Sequence, residues 1–500
     1  MSEAGTRKFW SPLALTSSER RPPRLLFFAV IVVYVAIVVA VALRHEPWRD
    51  EAESWLFVRD TSMATMFARL PYGGTPALWF LLLRPIVHSG LPYVAERLTN
   101  VVIAAAAVAL FTLAAPFTRL TKVLFAFSYF MAYEYAVIAR PYALTILLLF
   151  AIAAAWRQRW KRPLILAGAV ALAANTTVHG LVIAAIAGAA FLYESIRLRE
   201  IRRAQTSISL VLMLAGGLFA AWELRTLPDT AYPGVVRMIH PAMAGVAISN
   251  AFFPTLDDRF SFVLSLLLLL ALTLALGGRT IALLFLWGPL LALMTVYSFV
   301  WAGGMRHFGL LLITTLFAVW IADCYGREEQ SMRKHAGVAA ALLLNASLAF
   351  SLLVAVGYWV ADWRFSFSGA QEMAQFIRVN HLDRYDIAAH NLTQCEALLP
   401  YLPGKRFWYA GLGAYGSYML WDRRMEQALR VPYPVAERRA VRHFAGRPWL
   451  LLFNVEIPNP AAHGFRLLYA NHDFVFENRD ERFWLYAPLN WPAPPIGAPQ

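Results

Sequence analysis

The densest run of reactive side chains lies near the start of the sequence. Residues 45–55 read His-Glu-Pro-Trp-Arg-Asp-Glu-Ala-Glu-Ser-Trp, so four carboxylates stand beside His45 and Arg49. A carboxylate in such a run could act as a general base toward a hydroxyl group, while nearby cations stabilise a departing phosphate. A structural alternative stays open. Asp50 and Glu53 have capping-box spacing, and the flanking tryptophans suit a helix that lies in a membrane interface.

The elements that must position this run are membrane helices. Hydrophobic residues make up 59% of the 500 residues and charged residues only 15%. A soluble domain has roughly 25% charged residues. Several apolar runs approach the roughly 20 residues that a helix needs to cross hydrocarbon. They include residues 25–43, 101–115, 281–300 and 335–360. The sequence therefore predicts an α-helical polytopic membrane protein.

The formal net charge of +14 does not indicate nucleic-acid binding, because the basic residues are spread over short loops between apolar runs. Such loops stay in the cytoplasm. Three of them, at residues 157–162, 197–203 and 327–334, set the predicted sidedness. Residues 1–24 are also basic, and no small-residue cleavage site follows the first apolar run. We therefore expect a retained signal anchor with a cytoplasmic N-terminus.

Alternation from these loops predicts eleven full crossings, or thirteen if two short helices also cross, which gives about 11–13 transmembrane helices. The apolar run at residues 75–88 is short for a span and is expected to be re-entrant or interfacial. Residues 163–193 predict a helical hairpin with an outward tip. Cys324 and Cys395 fall on opposite sides of the membrane, so we expect neither a disulfide nor a cysteine metal site.

The composition changes after residue 360, where polar residues, Pro and Gly return. Short strand-like runs alternate there with helical stretches, as in a small external α/β domain. The strand-like runs are residues 385–389, 450–455 and 482–487. The predicted organisation is a cytoplasmic N-terminus (1–24), a transmembrane domain (25–360) with an external loop (44–75), and an external domain (361–500) with a disordered Pro-rich tail.

One apparent motif in the external domain carries no function. Gly411, Gly413 and Gly416 have the spacing of a dinucleotide fingerprint, and Glu437 follows at about the expected distance of 20 residues. The motif lies away from cytoplasmic nucleotides and outside any clear parallel βαβ unit. We therefore expect a tight turn with close backbone packing.

The acidic run also carries a family resemblance. Residues 48–55 resemble the Asp-Glu motif that follows the first membrane helix in polytopic glycosyltransferases of the GT-C fold. This family includes bacterial lipopolysaccharide sugar transferases, protein mannosyltransferases and the aminoarabinose transferase of lipid A. Further similarity lies in Pro-Ala-Leu-Trp at 76–79, Ala-Glu-Arg-Leu at 95–98, Ala-Arg-Pro-Tyr at 139–142 and Gly-Met-Arg-His at 304–307. The external domain shows no motif of the family.

The resemblance implies transfer of a sugar from a polyprenyl-phosphate donor to a glycolipid, glycan or protein acceptor. The expected location is the bacterial inner membrane, with membrane lipids around the chain and the active site on the periplasmic face. Asp50 matches the family's general base, and Glu51 would orient the acceptor or a metal ion. The chemistry agrees, since direct displacement at the anomeric carbon needs one base and inverts that centre.

Basic and aromatic residues at predicted outer helix ends complete the candidate site. Arg140, Arg306 and His307 are expected to bind the donor phosphate, because Arg grips phosphate through two parallel hydrogen bonds. Structural alternatives stay open, since Arg140 could snorkel to the interface and His179 could simply support a hairpin tip. The candidate substrate-binding residues are Tyr142, His45, Arg49, His179, Arg237 and His240.

The sequence departs from the family at residues 72–76, Tyr-Gly-Gly-Thr-Pro, where many relatives carry an acidic residue and a His or Lys. A metal ligand found in some relatives is therefore missing, and we assign no cofactor. A divalent cation, Mg²⁺ or Mn²⁺, held by Asp50, Glu51 and His45 is the alternative.

Two other function classes remain open. A lipid-linked sugar flippase or transporter would also have many spans, although such proteins often show internal repeats or paired interrupted helices, which this sequence lacks. A polysaccharide polymerase or ligase usually places basic residues in large external loops, without an Asp-Glu pair after the first span. Either class should tolerate Asp50→Asn, whereas the transferase requires Asp50. The external loop at residues 223–259 could shape a substrate site or serve as a plain connector.

Overall fold

A computed structural model describes residues 14–16, 24–231, 240–325 and 331–490. The predictions for the basic residues before Arg24, for Arg237 and for the Pro-rich tail lie outside these residues. The first fifteen α-helices are α1 Arg24–Arg44, α2 Arg49–Arg59, α3 Met63–Gly73, α4 Leu78–His88, α5 Val94–Ala114, α6 Arg119–Ala126, α7 Tyr142–Trp156, α8 Pro163–Ala174, α9 Val178–Arg197, α10 Ala204–Glu223, α11 Ala242–Phe252, α12 Asp258–Ala275, α13 Thr280–Phe299, α14 Met305–Ala322 and α15 Ser331–Arg364. A π-helical turn, Phe130–Glu134, precedes α7, and a 3-10 turn, Glu200–Arg202, precedes α10.

Eight of these helices are long and apolar enough to cross a membrane: α1, α5, α9, α10, α12, α13, α14 and α15. Four more apolar helices, α4, α7, α8 and α11, are shorter. Helix α1 shows why this surface needs lipid, because it leaves Phe28 and Val32 exposed while Tyr34 and Val38 are buried. The chain is a multi-pass membrane protein, which confirms the predicted fold class.

Two predicted membrane elements have the expected form. Helix α4 has 11 residues, and at about 1.5 Å per residue it is too short to cross hydrocarbon of roughly 30 Å. Helices α8 and α9 form the predicted hairpin, with residues 175–177 at its tip. Thr177 caps α9, since its hydroxyl accepts the Gly180 N–H.

Helix α14 is the most buried of the spanning helices and packs against α7, α11 and α13. Gly304 is its N-cap residue, and the preceding Gly303 has a φ of +75°, in the left-handed region that favours glycine. Gly309 lets the π-helical turn come close, because an added Cβ would meet the Phe130 ring at 2.3 Å and the Tyr135 hydroxyl at 2.5 Å. The first turn of this central helix therefore has a fixed position.

The C-terminal residues form the predicted α/β domain around one six-stranded sheet. Its strands are β1 Asp386–Ala389, β2 Phe407–Tyr409, β3 Ala414–Gly416, β4 Trp449–Phe453, β5 Phe465–Ala470 and β6 Trp484–Pro488. Its helices are α16 Ala370–Val379, α17 Leu392–Cys395, α18 Arg423–Leu429 and α19 Tyr433–His443, with 3-10 turns at Leu382–Arg384, Glu396–Tyr401 and Pro460–His463. The strand order is β3-β2-β1-β4-β6-β5, with β1, β2 and β4 mutually parallel and the other pairings antiparallel.

Helices α2 and α4 share one hydrophobic core with the C-terminal domain. Leu56 of α2 and Trp79 of α4 belong to the same buried cluster as Met373 of α16, Leu398 and Leu450 of β4. Burial of this apolar surface fixes α2 and α4 against the domain, since each fully buried large apolar side chain contributes about 1.5–3 kcal/mol. Helix α2 thus packs between the C-terminal domain and the membrane helices.

The glycine motif of the C-terminal domain forms the tight turn that the sequence predicts. The glycine motif forms the hairpin between β2 and β3, where Gly413 has a φ of +69°. An added Cβ on Gly411 would meet the Ala428 carbonyl oxygen at 2.3 Å, so close backbone packing explains this glycine. Cys324 and Cys395 are both free thiols.

Candidate functional site

Helix α2 carries the acidic residues of the site, and its N-terminal cap is Trp48. Trp48 is the N-cap residue, and its backbone N–H donates to the Glu51 carboxylate at 3.3 Å. Asp50 and Glu53, whose spacing offered a capping box as a structural alternative, therefore do not form the cap. Asp50 instead lies in the first turn, where the helix dipole favours a negative charge.

Asp50 faces three guanidinium groups. Its Oδ2 lies 2.9 Å from Nη1 of Arg306, and its Oδ1 lies 3.9 Å from Nε of Arg49. Arg140 donates to the backbone carbonyl of Asp50. Burial alone would raise the pKa of Asp50, but Arg306, Arg140 and Arg49 together lower it below its ordinary value. Asp50 is therefore ionised, and it keeps 27% of its side chain exposed.

The two predicted phosphate-binding arginines converge from different elements. Arg306 comes from the first turn of α14, and its guanidinium lies 4.7 Å from the centre of the Trp48 ring. Arg140 follows the π-helical turn, and its buried Nε has no hydrogen-bond partner among the described residues. The structure thus brings Asp50, Arg140 and Arg306 together, with donor capacity left over on Arg140.

Glu51, next to Asp50 in sequence, is fully buried. Its Oε1 accepts the Ala139 backbone N–H at 2.7 Å, and its Oε2 lies 3.1 Å from Nε2 of His45. These contacts fix the segment that carries Arg140 against the start of α2. Both carboxylate oxygens are therefore engaged inside the protein, and the structure does not present Glu51 to a substrate.

His45 connects Glu51 to the last membrane helix. Its Nδ1 lies 2.9 Å from Oδ2 of Asp362 on α15, and the Tyr133 hydroxyl donates to the same oxygen at 3.1 Å. Burial would lower the pKa of His45, but Asp362 and Glu51 outweigh it and raise the pKa to about 10. The imidazolium is a buried link between α1, α2 and α15, and it is not available for the substrate contact that the sequence predicted.

His307, Tyr142 and His179 form a second buried group behind Arg306. The Tyr142 hydroxyl lies 2.7 Å from Nε2 of His307. His179 lies 2.7 Å from the Tyr297 hydroxyl, which donates to the His307 carbonyl at 2.9 Å. The two histidine rings stack with centroids 5.5 Å apart. This network fixes the first turn of α14, so its members hold Arg306 in place from within the protein.

Two predicted substrate-binding residues have their hydrogen bonds away from Asp50. Arg49 points toward the C-terminal domain, with its Nη1 2.7 Å from Asp480 and its backbone N–H donating to Glu481. His240 is exposed, and its backbone N–H donates to the Ser298 carbonyl. Thus Arg49 joins the domain to α2, while His240 lies at the surface.

Asp362 is the important residue that the sequence reasoning missed. It follows a long apolar run, where an acidic residue is costly unless it is paired, and this signal could have identified it. Its partner His45 lies more than 300 positions earlier, at a separation of 317 residues. No local pattern predicts a contact across that distance.

The positions of Asp50, Glu51 and His45 do not favour the alternative in which these three residues bind a divalent cation. Glu51 and His45 bind each other, which leaves only Asp50 of the proposed three ligands beside the arginines. Among residues 24–231, 240–325 and 331–490, no three His, Cys, Asp or Glu side chains form a group suited to a metal ion.

Comparison with known proteins supports the fold. The structure is similar to crystal structures of ArnT from Cupriavidus metallidurans, one bound to undecaprenyl phosphate and one in the apo state. Both have a TM-score of 0.55 and cover 95% of this chain and 99% of the other, at 11% and 12% sequence identity. No protein-family model and no curated protein matches the sequence. The chain therefore has the GT-C fold that its motifs implied.

Proposed function

We propose that this protein is a membrane glycosyltransferase that takes its sugar from a polyprenyl-phosphate donor. The observation that carries the proposal is the position of Asp50, which faces Arg306 and Arg140 at the start of α14. The fold shared with ArnT supports it, since one ArnT structure holds undecaprenyl phosphate. The site would face the periplasm of a bacterial inner membrane, and the acceptor would be a glycolipid, a glycan or a protein.

Arg306 and Arg140 would bind the donor phosphate. Arg306 now makes a single contact with Asp50, whereas a phosphate offers two oxygens to the planar guanidinium through parallel hydrogen bonds, so it would compete with Asp50 for Arg306. Arg140 would add its unpartnered Nε. The buried network around His307 keeps the start of α14 fixed while this exchange takes place.

The same exchange would prepare Asp50 to act as the base. Once Arg306 binds phosphate, it no longer lowers the pKa of Asp50 as strongly, and the carboxylate becomes a better proton acceptor. The acceptor hydroxyl then attacks the anomeric carbon as Asp50 takes its proton. The bond from that carbon to the phosphate oxygen breaks with inversion, and the electron pair leaves on the polyprenyl phosphate, stabilised by the arginines.

Glu51 and His45 would act as positioning residues. Glu51 binds the backbone N–H of Ala139, immediately before Arg140, while His45 joins Glu51 to Asp362. A displacement at this junction would move Arg140 relative to Asp50, and reacting groups must be placed to within about an ångström.

The proposal is tested with the full chain in nanodiscs, a panel of short-chain polyprenyl-phosphate sugars and a panel of glycolipid and glycan acceptors. We expect wild type to release polyprenyl phosphate with at least one donor, and Asp50→Asn to lose at least about 10²-fold in turnover. The control is Asp383→Asn, which changes an exposed carboxylate of the C-terminal domain. Absence of release with every donor, or full activity of Asp50→Asn, would favour a flippase or polymerase. A chelator added in parallel tests for a divalent cation.

A further inference from the structure

Three large aromatic side chains are exposed at the level where α15 meets the C-terminal domain. Trp363 is 55% exposed, Phe365 46% and Phe474 57%. The first two lie at the end of α15, whereas Phe474 belongs to the loop between β5 and β6, residues 471–483. The Phe365 and Phe474 rings contact each other, with centroids 5.4 Å apart. Water solvates such rings poorly, so their exposure indicates a surface that another component covers.

Helix α1 shows which component lies at this level. It has 21 residues and carries charge only at its two ends, Arg24 and Arg44. At about 1.5 Å per residue its length matches a hydrocarbon core of roughly 30 Å, so Arg44 marks one edge of the hydrocarbon. The Arg44 guanidinium lies 5.5 Å from the centre of the Trp363 ring. Trp363 is therefore at the membrane–water interface, where tryptophan is enriched in membrane proteins.

Hydrogen bonds hold the loop between β5 and β6 at the same level. The Phe476 N–H donates to the Ser366 carbonyl at 3.1 Å, and the Asn478 N–H donates to the Phe367 carbonyl at 3.2 Å. The loop is thus joined to the residues that directly follow α15. Phe474 is held beside the end of this helix, although it belongs to the C-terminal domain.

Phe474 differs from the rest of the surface of its domain. Among the described residues 366–490, it is the only exposed Phe or Trp, and the other exposed large hydrophobic side chains there are Val, Leu or Tyr. The Arg479 guanidinium lies 5.9 Å from the centre of the Phe474 ring. An aromatic ring with a neighbouring arginine suits the boundary between acyl chains and lipid phosphates.

The charge of the loop excludes a partner that is recognised by its negative charge alone. Residues 471–483 carry four carboxylates, at Asp473, Glu477, Asp480 and Glu481, and two arginines. Such a loop does not attract a polyanion, so binding at Phe474 depends on burial of the apolar ring. Phospholipids offer an apolar layer at the level that α1 defines.

We propose that the loop between β5 and β6 inserts Phe474 into the membrane interface and anchors the C-terminal domain to phospholipids. Interfacial side chains reach about 5–10 Å into the boundary between headgroups and acyl chains. The same loop also contacts α2, because Asp480 lies 2.7 Å from Nη1 of Arg49. The anchor therefore fixes the height of α2, and with it of Asp50, relative to the lipid headgroups.

The first test measures the depth of residue 474 with a nitroxide label. Phe474→Cys is combined with Cys324→Ser in the full chain, because Cys324 is only partly buried whereas Cys395 is buried. Nanodiscs contain phosphatidylethanolamine and phosphatidylglycerol. Collisions with oxygen, which concentrates in hydrocarbon, and with a nickel chelate, which stays in water, give the depth. We expect the label to lie about 5–10 Å into the boundary between headgroups and acyl chains.

Two labelled positions calibrate this depth. Val441→Cys replaces a side chain of the C-terminal domain that is 46% exposed and should behave as a position in water. Val102→Cys, at a position that is 68% exposed on α5, should behave as a position in hydrocarbon. Equal access of the nickel chelate to positions 474 and 441 would overturn the anchor. Insertion that occurs only after a polyprenyl phosphate is added would overturn the assignment of phospholipids as the partner.

The second test separates insertion into lipid from packing against the Phe365 ring. Phe474→Leu keeps an apolar side chain but loses the ring, whereas Phe474→Asp places a charge at the interface. Hydrogen exchange in nanodiscs reports on the Phe476 and Asn478 N–H groups, which bond to residues 366 and 367. We expect exchange to rise at least about tenfold in Phe474→Asp and to stay within about twofold of wild type in Phe474→Leu.

Val441→Asp is the matched control and should leave exchange in this loop unchanged, since Val441 lies on α19. Equal acceleration in Phe474→Leu and Phe474→Asp would show that the ring contact holds the loop, and wild-type exchange in Phe474→Asp would show that nothing at Phe474 holds it. Either result overturns the anchor. Neither test needs a donor or an acceptor, so the anchor and the proposed function can fail separately.

Discussion

Asp50 and Glu51 are neighbours in sequence and carry the same charge, yet they lie in opposite surroundings. Asp50 faces Arg306 and remains partly exposed, whereas Glu51 is fully buried between His45 and the Ala139 backbone. Successive helical residues point about 100° apart, since a turn holds 3.6 residues. The same helix turn thus places Asp50 in the candidate site and Glu51 among the buried contacts that support the site.

The comparison teaches that an Asp-Glu motif need not be a pair of catalytic carboxylates. Asp50 lies beside arginines that could bind a phosphate instead, so its environment would change when a donor binds. Glu51 is held inside the protein by His45 and by the Ala139 backbone N–H, so its environment should stay the same when a donor binds. The two residues should therefore respond differently to the same amide substitution.

The largest expected effect on stability is from Glu51→Gln. The change keeps the shape but removes one of two charges that face the buried His45 imidazolium. Breaking a buried ion pair costs about 3–5 kcal/mol, so we expect a marked fall in the Tm of the protein in nanodiscs. Glu426→Gln on α18 is the matched surface control. An unchanged Tm in Glu51→Gln would contradict the structural role assigned to Glu51.

A smaller effect is expected from Arg306→Gln, which tests the surroundings of Asp50. Loss of one charge-assisted contact should weaken binding of a short-chain polyprenyl phosphate by about 10- to 100-fold, with Arg306→Lys in between. Titration calorimetry or ³¹P NMR measures this affinity. Arg157→Gln, at an exposed position near Asp323, is the control. Equal affinity in Arg306→Gln and wild type would exclude Arg306 from the phosphate site.

The pH dependence of stability should show the contribution of the His45 ion pairs with Glu51 and Asp362. The folded protein raises the pKa of His45 from 6.5 to about 10, so the folded state binds this proton more tightly than the unfolded chain. Its contribution is complete below about pH 6.5 and is lost as pH rises through 10, by at most about 1.4 kcal/mol per pH unit. The Tm difference between wild type and His45→Gln should shrink over that window. A difference that stays constant would show that His45 is neutral.

The smallest effect is expected at Arg49, which joins α2 to the C-terminal domain. Its contact with Asp480 is half exposed, and exposed ion pairs contribute about 0.2–1 kcal/mol. Arg49→Gln should therefore lower the Tm only slightly and leave donor affinity near that of wild type. A large loss of donor affinity would instead place Arg49 in the phosphate site with Arg306.

Composition and periodicity were enough to predict the membrane helices, the hairpin of α8 and α9, and the α/β character of the C-terminal domain. Those features depend on local apolar patterns, which a single sequence displays directly. The meeting of Asp50 with Arg140 and Arg306 also followed from sequence, because Asp50 was assigned to the external loop after the first span and both arginines to the outer ends of helices. Sidedness alone places such residues at one membrane surface.

The supporting contacts could not be predicted in this way. Glu51 and His45 depend on Asp362, which comes from the far end of α15, and only the packed structure brings these residues together. The same holds for His307, which was expected at the phosphate and instead bonds Tyr142 inside the protein. Burial decides each of these cases, and burial at one position depends on helices distant in sequence.

The most direct test measures sugar transfer and Tm side by side for Asp50→Asn and Glu51→Gln, with turnover normalised to folded protein. The account predicts that Asp50→Asn lowers the Tm less than Glu51→Gln does and loses at least about 10²-fold in turnover. Glu51→Gln should lose stability and retain more turnover per folded molecule than Asp50→Asn. Wild-type turnover in Asp50→Asn would contradict the assignment of Asp50 as the base.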